Sequence, residues 1–161
     1  MNCRSAFTTV QEPNVLPGAD FRTIFNFWRD AKGDAELPPA SAISAQKLPR
    51  ALLGDCSIMS VEDGPKRFYI RLVGTRIVQH IGFDLTNSWG EDQVNAQEVI
   101  SASELCVRSR LPLYTEISTG WAGNEYKHAK TLMLPYAAAD NSVRRILSYV
   151  QFSYQLEELV L

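Results

Sequence analysis

Apolar positions along the chain follow two rhythms. From Phe21 to Ala31 they recur at helical spacing: Phe21, Ile24, Phe25 and Trp28 fall at i, i+3, i+4 and i+7, and Phe27 and Ala31 widen the face. Asp20 is placed to cap this helix and Gly33 to stop it. Elsewhere the enrichment is β-branched and aromatic, which predicts strands over 55–61, 67–73, 113–119, 125–136 and 143–153. The first two flank the turn signal Glu62-Asp63-Gly64-Pro65, and the last three are separated by "GWAGN" and "AAADNS". A longer helix is predicted from Asp92 to Ser109, with acidic residues at its start, Arg108 and Arg110 at its end, and Pro112 as its stop. Residues 1–19 are polar and aperiodic, so a flexible lead-in is expected, followed by one domain over 20–161.

Between the second and third strands lies "VGTRIVQHIGFDLTN". Thr75 is a candidate N-cap, Ile77, Val78 and Ile81 supply helical spacing, and Gly82 ends the turn. The order of helix, two strands, short helices, one longer helix and three strands predicts an α+β domain with one antiparallel sheet. The short helices would cross one sheet face and hold a concavity over it, of the kind that receives small molecules or partners.

Composition narrows the function. At 161 residues, 45% apolar and 21% charged, the chain suits one ordinary domain. A net charge of −2 gives no basic surface for nucleic acid or an anionic membrane. Cys3, Cys56 and Cys106 are scattered and odd in number, and no leader or membrane span is evident near Met1, so a cytoplasmic setting is expected.

The segments "FWRDAKGDAELPPAS", "RFYIRLVGTRIVQHIGFDLTN", "RSRLPLY" and "LMLPY…RRILSYV" resemble the PAS domain, specifically the stand-alone bacterial group called PAS family 5. The most specific match is the run Arg71, Leu72, Gly74 and Thr75, followed by Gly82, Asp84, Leu85 and Thr86. Two positions depart from the pattern. Asn87 replaces a usual glycine, and Pro38-Pro39-Ala40-Ser41 stands where Pro-Ser-Arg is more common. The resemblance implies a five-stranded antiparallel sheet of order 2-1-5-4-3, short helices across one face and an N-terminal flanking helix. It also implies sensing or protein interaction without catalysis, in bacterial signalling. A single domain of this kind would act in trans on a signalling protein.

The residues themselves carry little chemistry. "NCR" at Asn2–Arg4 sits outside the domain, away from where light-sensing flavin-binding PAS proteins use that motif. Cys106 reads as a small buried hydrophobe. Only His80 and His128 are available as haem ligands, and neither has partners for zinc, so no cofactor and no metal is expected. Hydrolase, P-loop and dinucleotide motifs are absent. Candidates for a ligand pocket are Arg71, Trp89, Cys106, Trp121, Tyr126, Met133 and Tyr149. Arg71, between apolar Ile70 and Leu72, is expected to pair with Asp84 or Glu91. Thr75 and Asp84 are expected to cap the turns around the short helix, with Gly74, Gly82 and Thr86 completing the motif. The ring-rich first helix suggests a homodimer through Phe21, Phe27 and Trp28, Phe27 lying nearest the interface. The competing class is a cone-shaped α+β enzyme of the nuclear-transport-factor-like type, which needs an acid–base pair inside the concavity.

Overall fold

Alternation along the C-terminal strands sets the frame. In the computed structural model, which describes residues 6–62, 67–93, 96–118 and 127–154, two long strands lie side by side at the centre of one sheet. They are β6 (Lys127–Ala137) and β7 (Val143–Tyr154). Both are buried on both faces: Leu132, Leu134, Leu147 and Tyr149 point one way, and Met133, Ile146 and Ser148 the other. A sheet of that kind must be covered twice.

The remaining strands are β1 (Ala6–Thr9), β2 (Cys56–Glu62), β3 (Arg67–Val73), β4 (Ser88–Trp89) and β5 (Leu113–Ser118). The sheet is antiparallel throughout, in the order β1-β5-β6-β7-β2-β3-β4. Numbered alone, the five longer strands from β2 onward run 2-1-5-4-3 from the β3 side, as the resemblance implied. The addition is one short strand on each edge. β1 pairs with β5 and so belongs to the fold, although residues 1–19 read as a flexible lead-in. Val10 and Leu16, just after it, are buried.

One face is covered by helix α1 (Ala19–Lys32). Its buried residues are Phe21, Ile24, Phe25 and Trp28, the stripe read from spacing. Each such side chain contributes roughly 1.5–3 kcal/mol on burial. Phe21 meets Tyr114 and Tyr149 edge to face, with ring centres 5.7 and 5.1 Å apart. The Trp28 indole donates to the Pro135 carbonyl at 2.7 Å. Phe21 and Trp28 are therefore spent inside the chain and leave no surface for a second copy. Phe27 is half-buried against the same core.

The other face is crossed by helix α2 (Thr75–Ile81), the β4 segment and helix α3 (Gln97–Ser109). α3 starts five residues later than Asp92, because residues 90–92 form a separate 3-10 turn. It ends at Arg110 in the left-handed conformation, φ 58°.

Candidate functional site

The crossing begins at Gly74, where β3 leaves the sheet. A Cβ on Gly74 would collide with the Gly54 carbonyl, so only glycine lets the chain pass the 3-10 turn at Leu53–Asp55. Arg76 then locks this junction by donating to Asp55 at 2.9 Å and to the Ala51 carbonyl at 2.8 Å. Gly82 ends α2 at φ 89°, a left-handed turn that suits glycine. Beyond it, Asp84 Oδ1 accepts from both the Thr86 N–H, at 2.9 Å, and the Thr86 hydroxyl, at 2.6 Å. Those two bonds hold the Asp84 carboxyl below its ordinary pKa. Asn87 takes φ 65°, the conformation that glycine would otherwise supply.

Two expectations for this segment need correction. Thr75 is not the cap of α2: Gly74 holds that position, it offers no side-chain cap bond, and Thr75 is the exposed first helical residue. Arg71 does not reach Asp84 or Glu91. A register shift opposite Ile58 and Met59 turns Arg71 toward β2, where it donates to the Ser60 hydroxyl at 2.6 Å and pairs with Glu62 at 3.4 Å. The partner of Glu91 is Arg67, at 3.2 Å, with the Phe68 N–H on the second carboxylate oxygen. Arg67 also lies 3.9 Å above the Trp89 ring, which itself meets Tyr69 edge to face. The crossing segment is tied to the sheet edge by that group.

Beneath the crossing is a cavity of about 130 Å³. The sheet supplies Met59, Ile70, Ala129, Met133, Val150 and Phe152 to it, with the hydroxyl residues Ser57, Thr131 and Ser148. Ile77 and Ile81 of α2, Leu85 and Val99 form the roof. No Asp, Glu, His, Lys or Arg lines the cavity among the described residues.

Of the proposed pocket residues, Met133 lines this cavity. Tyr149 is buried on the opposite face, beside Phe21, with its hydroxyl near Asp20 and Gln151. Arg71 and Trp89 belong to the edge cluster, and Cys106 is buried within α3. Trp121 and Tyr126 lie outside the described residues, as do Asn2–Arg4. His80 is on α2 and stacks on Phe152 with ring centres 4.5 Å apart, so it stands behind the lining. His128 alternates with Ala129 and so points to the other face. Burial pushes the Cys56 thiol up to about 12 and the Cys106 thiol higher still. Neither is a nucleophile at neutral pH. Among the described residues no group of His, Cys, Asp and Glu is arranged to hold a metal. No helix there is long and apolar enough to cross a membrane.

The sheet order, the covering helices and the glycine-bounded crossing all have a counterpart in a known family. The family model for the PAS domain, in its family 5 form, matches residues 19–151. This chain belongs to the PAS domain family. Comparison with the curated proteins finds no match in sequence. One solved structure, described as that of an RNA-binding Light-Oxygen-Voltage receptor, is similar at 12% identity and a TM-score of 0.48. The similarity covers 97% of this chain and 42% of that one, so the chain spans less than half of that receptor's length.

Within the PAS frame the family motif reads as architecture. Gly74 allows the close pass, Gly82 turns the chain and Asp84 with Thr86 fixes the loop. What sequence reasoning missed is the aliphatic lining. Ile77, Ile81, Val99 and Val150 carry no individual signal of a site. Their one clue was the short helix itself, which has no purpose except to stand off from a sheet.

Proposed function

We propose that this PAS domain is a sensor that takes a small, uncharged, apolar molecule into the cavity between the sheet and α2. It passes the change of occupancy to a signalling protein in trans, in the cytoplasm. The observation carrying this reading is the lining: it is aliphatic and hydroxyl-bearing, without an ionisable side chain among the described residues. The competing enzyme class needs a carboxylate or histidine facing the reacting group, and this lining supplies neither. A cavity of about 130 Å³ is close to the ~150 Å³ apolar cavity that holds benzene. It is well below the roughly 300–1,000 Å³ of sites for drug-sized ligands and cofactors. The roof rests on α2, a seven-residue helix between two glycines, so filling the cavity loads a short, glycine-bounded element.

Thermal unfolding with and without dissolved benzene tests the reading. Binding to the folded state alone raises Tm with ligand concentration. The expected result is a rise in the wild-type chain that disappears in Val150→Phe, whose added ring fills the cavity. No rise in the wild-type chain would remove the sensor reading.

A further inference from the structure

The floor of the cavity is not uniformly apolar. Ser57 on β2 and Ser148 on β7 both line it and stand directly opposite each other across the β2–β7 ladder. Ladder partners point to the same side of a sheet, so both side chains rise from adjacent strands into the same space. Their other neighbours place them inside the floor, not at its rim. Ser148 also opposes Met133 and Ser57 opposes Val73, and both of those residues line the cavity. Ser148 is 4% exposed, and neither serine hydroxyl makes a hydrogen bond among the described residues. Neither is sealed off: the shut-in, unpartnered hydroxyls among those residues are Thr115 and Tyr136, which do not line the cavity. Buried hydroxyls are seldom left without a partner, because an unmade bond forfeits the water the group gave up. An atom lying over this pair supplies the partner that both lack.

Charge and size narrow the occupant. No ionisable side chain lines the cavity among the described residues, so an ion over the serines would be desolvated with no counter-charge beside it. Apart from Thr131, the remaining lining is aliphatic, methionine and one phenylalanine, which suits an apolar ligand body. The volume of about 130 Å³ admits one ring. We infer that the Ser57–Ser148 pair is a polar subsite of the cavity. The occupant is a neutral one-ring molecule, apolar along its body, whose single hydroxyl or carbonyl oxygen lies over the two serine hydroxyls. The inference rests on the sensor reading above and names the ligand class of that site.

Calorimetric titration of the purified chain at pH 7 with benzene, phenol and benzoate tests it, in the wild type and in the Ser57→Ala/Ser148→Ala variant. Alanine keeps the shape of the floor and removes only the two oxygens. Benzene and phenol are both expected to bind the wild type, and benzoate, which is ionised at this pH, is expected not to bind. The variant is expected to weaken phenol roughly three- to tenfold, the scale of one hydrogen bond, without weakening benzene. The phenol-to-benzene affinity ratio is the quantity read, because a general change in the cavity moves both. If that ratio is the same in variant and wild type, if benzene binds the wild type and phenol does not, or if benzoate binds as well as phenol, the inference is overturned while the sensor reading stands. If none of the three binds, the sensor reading itself fails. Should the double variant not fold, Ser148→Ala alone gives the same contrast.

Discussion

Gly74 passes so close to the carbonyl of Gly54 that a side chain on it has nowhere to go. The contact is backbone against backbone, so nothing flexible can yield. Gly74→Ala must push β3 and α2 away from the turn at Leu53–Asp55, and overpacking of this kind costs about 1–3 kcal/mol or more. Gly54→Ala meets only the tip of Arg76, at 3.1 Å, and is expected to cost less. Urea denaturation midpoints of the two variants provide the comparison. Equal midpoints would mean that the junction is not close-packed.

The indole of Trp28 ties α1 to the sheet through Pro135. Trp28→Phe keeps a ring but removes the donor and leaves a small void. A loss on the order of 2 kcal/mol is expected from the two effects together. Hydrogen exchange should then show earlier opening of α1 than of β6 and β7. Unchanged stability would mean that the bond contributes nothing net.

Acid sensitivity follows from three carboxylates. Asp84 and Asp140 are held below their ordinary pKa first by side-chain bonds from Thr86 and Ser142, and Glu36 by its bond from Arg110. A carboxylate with a depressed folded pKa adds stability above its unfolded pKa, and that stability is lost as pH falls through the folded value. All three are exposed, so each effect is small and screened by salt. Glu36→Gln/Asp84→Asn/Asp140→Asn is expected to lose less stability than wild type between about pH 5 and pH 2. Parallel pH profiles would contradict this.

Thiol chemistry gives a further check. Cys56 and Cys106 are 0% exposed, and burial raises both pKa values. In a Cys3→Ser background at pH 8, a thiol reagent is expected to react with neither cysteine in the native chain and with both after denaturation. Fast native labelling at either would show that the core around it opens.

How much of this was legible differs by element, for physical reasons. The five longer strands came from β-branched and aromatic enrichment between turn signals, and the buried stripe of α1 from helical spacing, because each must bury a continuous face. β1 and β4 did not, because strands of four and two residues at sheet edges show no alternation to read. Arg71 was assigned the wrong partner because one register shift in the β2–β3 pair decides which neighbour it meets, and no residue type announces that shift. Four of the seven pocket candidates were large rings, yet Tyr149 fills the face under α1, and the lining among the described residues is mostly aliphatic, methionine and hydroxyl side chains, with Phe152 as its one ring. Which face a ring takes depends on register, and both faces of this sheet are buried, so hydrophobicity alone could not choose. Of the α1 rings named for a homodimer, Phe21 and Trp28 are covered by the chain's own sheet and Phe27, named nearest the interface, is half-buried.

The central claim is that small apolar molecules enter between the sheet and α2. Methyl-resolved NMR during a benzene titration locates the binding directly. Ile77, Ile81, Val99 and Met133 line the cavity, whereas Ile58 and Leu134 lie on the α1 side of the sheet. Saturable shifts are predicted at the first four methyl groups, with the last two unmoved. Shifts centred on Ile58 and Leu134, or no saturable shift at all, would contradict the account.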